Sequence, residues 1–289
     1  MAKARILNFD AETYRTMRED IAEAIRAEAI AKRPANNVAK DLKTVWDTAD
    51  AREERAAKAL AKTAVDVTIA EPLCVCFAAY ESVDAAPEAN AADMMLPDQW
   101  QEAQREELRL LAEAWSDLTG PDTIWLGHNI IKFDIPLLYN SWLRNGIAPP
   151  EHFPQFLYGR WRGRIFDTMA RIPSGDGYIS LDAACAAFGV PVVAETLWRG
   201  APVDGSRVGE IYEAGDYNVI LEYCKRDLPP VFDLYKVLTS DDTRGTYDKT
   251  GATWAQVEEI RASEGLSDGQ KLLAIYTALE LGGVLRRAS

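Results

Sequence analysis

Three short segments of this chain place acidic residues where an apolar element ends or where a helix would otherwise pack on a core. The first follows the apolar run at 5–9 and carries Asp10 and Glu12, the second carries Asp134, and the third carries Asp227. Burying a carboxylate costs free energy unless it is paired with a cation or binds a metal. Four acids from distant parts of one chain therefore indicate a bound cation.

The first segment, residues 8–13 (NFDAET), ends a predicted strand that begins at residue 5. Residues two apart in a strand point to the same face, so we expect Asp10 and Glu12 to project together and Ala11 to point away. Two hard oxygen ligands on one face suit Mg²⁺ or Mn²⁺. Taken alone, however, an Asp-x-Glu pair is more typical of an ordinary polar strand end.

The second segment, residues 127–134 (GHNIIKFD), follows another short apolar run. Apolar side chains at helical spacing predict a helix over 133–145. Asp134 lies in the first turn of that helix, where the helix dipole favours an anion. A dipole-matched surface acid accounts for Asp134 by itself, but it accounts less well for Asn129 and Phe133 at this spacing.

The third segment, Tyr223 to Asp227 (YCKRD), lies within the predicted helix 208–227. These two residues are four apart and share a helix face, so the phenol would orient a water held by a metal beside the carboxylate. The alternative is a residue pair that packs on the core, which is common by chance. Pro229 and Pro230 follow at once, and they predict a kink or a restart of the helix just after Asp227.

In their order and spacing, the three segments resemble the three exonuclease motifs of the DEDD 3'-5' exonucleases, in the tyrosine subclass. The resemblance is to stand-alone, often phage-encoded exonucleases related to the proofreading domain of family-B DNA polymerases. The other large subclass has a histidine five residues before the last aspartate, where this chain has Glu222. The two histidines of the chain, His128 and His152, stand elsewhere.

The alternation of predicted strands and helices, together with this resemblance, predicts an α/β ribonuclease H-like exonuclease fold with a mixed central sheet. We expect an exonuclease domain at 1–238 that contains a helical insertion at 14–70 after the first strand. A helical C-terminal extension is expected at 239–289.

The resemblance also implies the roles of individual residues. Asp10, Glu12 and Asp227 would hold one of two divalent ions, Mg²⁺ or Mn²⁺, and Asp10 with Asp134 would hold the second. Tyr223 completes the implied catalytic set. The residues expected to position the terminal nucleotide are Thr13, Asn129 and Phe133.

The net charge of −13 argues against a general nucleic-acid binder, which is normally basic, and predicts weak, salt-sensitive binding of a short substrate end. The basic stretch at 158–164, followed by Arg171, is a local exception, because its arginines alternate with aromatic residues. It either contacts phosphates and bases or forms a solvated loop. Four lysines of the insertion, Lys40, Lys43, Lys58 and Lys62, either reach a nucleic-acid backbone or lie on a solvated helical hairpin that breaks near Pro34.

The four cysteines stand in apolar or helical contexts, and a zinc site would require more ligands nearby. Core thiols in a reducing cytoplasm are therefore expected at Cys74, Cys76, Cys185 and Cys224. The sequence shows no signal-peptide pattern and no apolar stretch long enough to cross a membrane. These features predict a cytoplasmic protein of a bacterium or a phage-infected host, with no membrane partner.

The predicted function is metal-dependent 3'-5' exonucleolysis at DNA 3' ends, those of single strands in the first place. A replicative polymerase or another replication or recombination protein is a candidate partner. An RNA exonuclease of the same fold stays open, because no segment is recognisable as a reader of the 2'-hydroxyl. A non-catalytic acidic nucleic-acid mimic or polymerase accessory protein is the rival from another class. Such a mimic needs carboxylates spread over its surface rather than gathered in one pocket.

Overall fold

The computed structural model describes residues 4–32, 46, 48–95, 100–173 and 178–240 of the 289-residue chain. The chain divides into two compact units, Met1–Tyr235 and Lys236–Ser289. Of the second unit only 236–240 are described, so the helices predicted in the C-terminal extension lie outside the described residues. The domain boundary predicted at 238 stays a prediction.

A five-stranded mixed sheet forms the centre of the first unit, and two short hairpins accompany it. The strands are β1 (Ile6–Tyr14), β2 (Glu71–Tyr80), β3 (Ala89–Met94), β4 (Ile124–Gly127), β5 (Gln155–Leu157), β6 (Arg160–Arg162), β7 (Arg164–Asp167), β8 (Leu197–Trp198) and β9 (Ala201–Pro202). The sheet has the order β3-β2-β1-β4-β7. Strand β2 is antiparallel to both neighbours, whereas β1, β4 and β7 are parallel. The predicted α/β class with a mixed central sheet is confirmed.

Eight α-helices are found among the described residues, and none of these is long and apolar enough to cross a membrane. They are α1 (Glu19–Ala31), α2 (Ala49–Ala61), α3 (Trp100–Leu118), α4 (Asp134–Arg144), α5 (Thr168–Arg171), α6 (Leu181–Phe188), α7 (Val208–Glu213) and α8 (Tyr217–Thr239). Short 3₁₀ turns cover Lys62–Val65 and Gly205–Arg207.

The side chains of β1 alternate between two apolar cores, one on each face of the sheet. Leu7, Phe9 and Ala11 are buried in the core that α3 and α4 cover. Ile6 lies in the core on the other face, which α8 covers. Asn8 shares that second face, because its side-chain amide donates to the Leu228 carbonyl of α8 at 2.6 Å. The face that carries Asp10 is therefore the face that meets α8.

The insertion leaves β1 and returns to the sheet at one place. The Thr16 N–H donates to the Thr63 hydroxyl at 2.8 Å, and the Thr13 hydroxyl donates to the Ala64 carbonyl at 2.7 Å. Between these points α1 contacts α2. The break predicted near residue 34 lies outside the described residues, as do Lys40 and Lys43.

Helix α8, which carries the third segment, starts later and continues further than the helix predicted at 208–227. It runs unbroken through Pro229 and Pro230, so the predicted restart after Asp227 is wrong. The two prolines leave the carbonyls four residues earlier without their helical N–H donors, but buried side chains on both sides of the prolines hold the helix against the sheet. The predicted helix 208–227 is in fact two helices, because Gly215 at φ +78° separates α7 from α8.

The basic stretch at 158–164 includes the turn and the second strand of the exposed hairpin β5–β6, and it ends at the start of β7. Tyr158 is 93% exposed at its turn, and Trp161 packs edge-to-face on Tyr139 of α4. Arg160 and Arg162 are exposed. Strand β7 begins directly after the hairpin and runs away from it toward the acidic end of the sheet. Whether the hairpin contacts nucleic acid stays open.

Candidate active site

The topology explains why the acids of the first two segments meet. Strands β1 and β4 are adjacent and parallel, so their carboxyl ends lie at the same edge of the sheet. Asp10 and Glu12 lie near the end of β1, and β4 ends at Gly127, seven residues before Asp134 begins α4. The carboxyl edge of parallel strands is the usual position of a binding crevice in α/β sheets.

Asp134 is tied directly to the backbone between the two acids of β1. Its Oδ1 accepts a hydrogen bond from the Ala11 N–H at 3.0 Å. The pairing of β1 with β4 ends at Asn8 and Leu126, so this N–H lies beyond the strand ladder. Asp134 is only 2% exposed, so this carboxylate in the first turn of α4 is buried beside the Ala11 backbone.

Gly127 allows β4 to turn sharply into the loop that carries Asn129. A Cβ atom on Gly127 would lie 2.2 Å from the Ile130 Cγ2 and 3.0 Å from the Phe9 carbonyl oxygen. The second contact is with backbone, so the turn closes only around a residue without a side chain. The glycine thus lets the loop after β4 approach β1.

A single buried carboxylate holds the loop in place. Asp167 accepts hydrogen bonds from the Asn129 N–H at 2.9 Å and from the Ile131 N–H at 3.0 Å. It also accepts from the N–H groups of Met169 and Ala170, which makes it the N-cap of α5. From the sequence, Asp167 is either a helix cap or a support for the site, and the structure shows both contacts.

Helix α8 brings the third segment to the same crevice. The Cys224 thiol contacts the Asp10 carbonyl oxygen at 3.5 Å. Burial raises the pKa of the Tyr223 phenol, and the neighbouring charges of Glu12, Asp227 and Asp10 raise it further. Glu222, at the position where the other subclass has histidine, is exposed. The tyrosine, not that position, therefore faces the acids.

The pKa shifts of the carboxyl groups show that they share one low-dielectric region. Burial raises the pKa of Asp10 and Glu12 well above the usual range, and repulsion from Asp134 and Asp227 adds to both shifts. Burial also raises the pKa of Asp134 to about 7. For Asp227 burial raises the pKa to about 6, against an opposing effect of the Arg226 guanidinium.

The group of acids fits divalent cations in its donor chemistry. Among the described residues no lysine or arginine forms an ion pair with Asp10, Glu12 or Asp134, and Asp227 has only the Arg226 Nε at 3.9 Å. Hard carboxylate oxygens without cationic partners suit Mg²⁺ or Mn²⁺. In the described part of the chain no three of these carboxylates have oxygens that all lie within 4.8 Å of one another. The three carboxylates expected to share one ion, Asp10, Glu12 and Asp227, would therefore have to move closer together to bind it.

The comparisons with known proteins find structures but no sequence family. No family model matches the chain, and no curated protein is significantly similar to it. The chain resembles the crystal structure of E. coli Exonuclease I in complex with a dT13 oligonucleotide, with 14% identity and a TM-score of 0.38 over 85% of this chain and 43% of that one.

Two further crystal structures of E. coli Exonuclease I are also similar. In the complex with a 5cy-dA13 oligonucleotide the identity is 12% and the TM-score 0.36, over 81% of this chain and 40% of that one. In the complex with a dA16 oligonucleotide the identity is 12% and the TM-score 0.37, over 85% of this chain and 43% of that one. The chain therefore spans less than half the length of the structures it matches.

The three residues expected to position a nucleotide differ in whether their side chains already have partners within the protein. The Thr13 hydroxyl proton is already donated to the Ala64 carbonyl. The Phe133 side chain is half-buried, belongs to neither apolar core and makes no ring contact with another described aromatic residue. The Asn129 Oδ1 is buried and has no hydrogen-bond partner among the described residues. Phe133 and Asn129 are thus the better-suited pair.

Sequence reasoning missed Arg226 as part of the site. Its side chain is only 10% exposed, and its guanidinium donates to Asp182 of α6 at 3.0 Å while its Nε lies beside Asp227. Its position directly before Asp227 in the sequence was the available signal. Asp182 is distant in sequence, so the link from α6 to α8 had no local signature.

We expect the metal-free protein to lose stability as the pH rises from about 4 to about 7. The folded-state pKa values, about 7 for Asp134 and about 6 for Asp227, exceed the ordinary value of 3.8. Across this window the folded state holds protons that the unfolded state releases, so the free energy of unfolding falls as pH rises. Mg²⁺ added at neutral pH should restore it, because the ion binds the ionised carboxylates of the folded state.

Thermal denaturation in a chelator across this pH range, followed by addition of Mg²⁺, measures the effect. The variant Asp134→Asn removes one of the titrating groups and should show a shallower fall of melting temperature with pH. An equal pH slope in the variant and the parent would show that these carboxylates do not control the pH dependence.

Proposed function

We propose that this chain is a metal-dependent 3'-5' exonuclease that removes nucleotides from single-stranded DNA ends by two-metal-ion phosphodiester hydrolysis. The proposal includes a ribonuclease H-like fold and membership of the tyrosine subclass of the DEDD exonucleases. The observation that supports it best is the meeting of Asp10, Glu12, Asp134 and Asp227 at the carboxyl edge of β1 and β4, beside Tyr223.

In this proposal Asp10, Glu12 and Asp227 would hold one ion, and Asp10 with Asp134 would hold the second. When bound, two such ions would lower the pKa of a water and stabilise the charge that develops on the attacking and leaving oxygens. The protein's part is to fix the ligands. The Ala11 N–H orients the Asp134 carboxylate, and the Arg226 guanidinium keeps Asp227 more readily ionised than burial alone would allow.

Tyr223 would orient the attacking water rather than take its proton. The ordinary pKa of a tyrosine is near 10, and burial beside Glu12 and Asp227 raises it further. A phenol that stays protonated is a poor general base at neutral pH, but it is a suitable hydrogen-bond partner for a water. Its place four residues before Asp227 on the unbroken α8 directs it into the same crevice.

The terminal nucleotide would contact the loop after β4. The Phe133 ring is available to stack on a base, and such stacking contributes on the order of 1–3 kcal/mol per base. The unpaired Asn129 Oδ1 would accept a hydrogen bond from the nucleotide. Asp167 would act as a positioning residue for both, because it fixes the loop backbone through the N–H groups of Asn129 and Ile131.

The convergence of the acids disfavours the acidic-mimic hypothesis, which requires carboxylates distributed over the surface. The RNA alternative differs from the DNA proposal only in the substrate. Any role in proofreading, a polymerase or other replication partner, and the cytoplasmic and phage-related setting are parts of the same proposal.

Shortening of 5'-labelled single-stranded oligonucleotides, one of DNA and one of RNA, tests the function. In Mg²⁺ or Mn²⁺ we expect a ladder of DNA products that shorten from the 3' end, no products in a chelator, and slower loss of RNA. Faster shortening of RNA would favour the alternative substrate. Release of the labelled 5' nucleotide as the first product, or no cleavage with either ion, would contradict the proposal.

We propose that the insertion guides the single strand into the crevice, since it leaves β1 at Tyr14, two residues after Glu12. The contact of Thr16 with Thr63 allows residues 19–61 to be replaced by a short Gly-Ser linker without stretching the chain. We expect the shortened protein to fold and to bind single-stranded DNA more weakly, on the order of tenfold at moderate salt, because basic side chains that contact phosphates are lost.

Fluorescence anisotropy with a labelled oligonucleotide measures this binding. Lys58→Gln in the full chain is the matched smaller change, because Lys58 is exposed and, within the described part of the insertion, pairs only with Glu54 of its own helix. Unchanged affinity in the shortened protein would favour the solvated-hairpin interpretation.

A further inference from the structure

Three of the four cysteines meet in the core behind the carboxylates. Cys74 and Cys76 are two residues apart on β2, so their side chains point to the same face of the sheet. This is the face that meets α8, where Cys224 lies. All three are fully buried, and their Sγ atoms all lie within 4.8 Å of one another. Cys185, the fourth cysteine, lies on α6 and is not part of this cluster.

The spacing of these sulfurs suits a single coordinated ion. A zinc–sulfur bond is about 2.3 Å long, so three sulfurs around one ion lie about 4 Å apart. In the folded protein the thiols form weak hydrogen bonds with one another and with two backbone carbonyls. The Cys224 thiol lies 3.5 Å from the Asp10 carbonyl, and the Cys76 thiol lies 3.9 Å from the Leu221 carbonyl. Little hydrogen bonding is therefore lost when the sulfurs turn toward an ion.

The cluster lies beside the proposed nuclease site but offers different chemistry. The register of β1 with β2 places Cys76 opposite Asp10 and Cys74 opposite Glu12. Carboxylate oxygens select hard ions such as Mg²⁺, whereas thiolates select soft or borderline ions such as Zn²⁺. The carboxylates and the thiols therefore prefer different classes of cation, although they lie on two adjacent strands.

We infer that Cys74, Cys76 and Cys224 form a second cation site, for one thiophilic d¹⁰ ion such as Zn²⁺. As each sulfur–metal bond forms, the thiol proton leaves to water, so three thiols and one divalent ion give a tris-thiolate complex and three protons. Three protein ligands leave a fourth position for a water. This inference rests on the positions of the cysteines and does not depend on the proposed nuclease activity.

Cd²⁺ is the probe, because its thiolate complexes have an ultraviolet charge-transfer band that oxygen ligands do not give. The reduced, chelator-treated full-length protein is loaded in two ways, by addition of Cd²⁺ to the folded chain and by refolding with Cd²⁺, since the buried sulfurs require the core to open. We expect the band to saturate at one Cd²⁺ per chain in the presence of excess Mg²⁺.

Matched variants assign the band. Cys224→Ser and Cys76→Ala should lose it, Cys185→Ser should keep it, and Asp134→Asn should keep it because the carboxylates are not ligands of this ion. Circular dichroism identifies the variants that fold, and Cys76→Ala decides the question if Cys224→Ser does not fold. Absence of the band after both loading procedures, or its persistence in a folded cluster variant, would overturn the site. A band without nuclease activity would keep the site and reject the proposed function.

Discussion

Replacing Asp10 with asparagine is expected to reduce nucleotide release by at least about 10³-fold while the protein remains folded. Asp10 is the carboxylate proposed to bind both ions, so its loss removes a ligand from each. Burial and repulsion from Asp134, Glu12 and Asp227 raise its pKa, so we expect its charge to oppose folding when no metal is bound. The metal-free variant should therefore melt at a higher temperature than the parent.

Single-turnover cleavage of a single-stranded oligonucleotide in saturating Mg²⁺ and thermal denaturation in a chelator measure the two effects. Asp84→Asn is the matched control, because Asp84 is an exposed loop residue away from the crevice, and it should change neither quantity. A variant Asp10→Asn that cleaves as fast as the parent would show that this carboxylate is not a metal ligand in the reaction.

Replacing Tyr223 with phenylalanine is expected to slow the chemical step by about 10²-fold and not to eliminate it. Positioning and acid–base contributions of single side chains are typically about 10²- to 10⁴-fold, and the ions that acidify the water remain. The carboxylates are untouched, so Mn²⁺ affinity should be unchanged. Because the phenol pKa is raised, the tyrosine stays protonated, and variant and parent should share the same pH–rate profile apart from its height.

Single-turnover rates across pH, with Mn²⁺ affinity measured separately, distinguish positioning from base catalysis. Tyr80→Phe is the matched control, since Tyr80 is another buried tyrosine that stacks on Phe232 of α8 outside the crevice. An unchanged rate in Tyr223→Phe would make Tyr223 a packing residue. A limb of the pH profile present in the parent and missing in the variant would make it a general base instead.

The parts of the fold that local patterns encode were predictable. Apolar runs predict strands at 5–9 and at 73–79 (LCVCFAA), and the structure has the strands Ile6–Tyr14 and Glu71–Tyr80 there. Helical periodicity predicts the helix at 133–145, which the structure places at Asp134–Arg144. Ser180 and Gly189 are typical helix-start and helix-end residues, and they bound α6, because a side-chain cap and a left-handed glycine act within one turn.

Features that depend on distant parts of the chain were not predictable. Strong packing on both sides of Pro229 and Pro230 keeps α8 continuous, although proline usually ends a helix. The sequence does not indicate the hairpin β5–β6, since its strands have only three residues each. The cysteine cluster joins β2 to Cys224 across about half the chain, and the pattern Cys-x-Cys alone did not indicate a third partner.

The candidate site shows the same division. The residue types and spacing of the three segments identified the acids, because buried carboxylates require compensation wherever they occur. The contacts that hold these segments together were hidden in the sequence. Asp167 binds the loop of Asn129, and Arg226 connects Asp227 to α6, through side chains that only the folded chain brings within hydrogen-bond distance.

Anomalous X-ray diffraction from crystals soaked in Mn²⁺ with a short single-stranded DNA tests the central claim most directly. The account predicts two anomalous peaks about 4 Å apart, one among the carboxylates of Asp10, Glu12 and Asp227 and the other between Asp10 and Asp134. The 3' end of the DNA should lie at the same place. Mn²⁺ bound elsewhere, or no Mn²⁺ at these carboxylates with DNA present, would contradict the account.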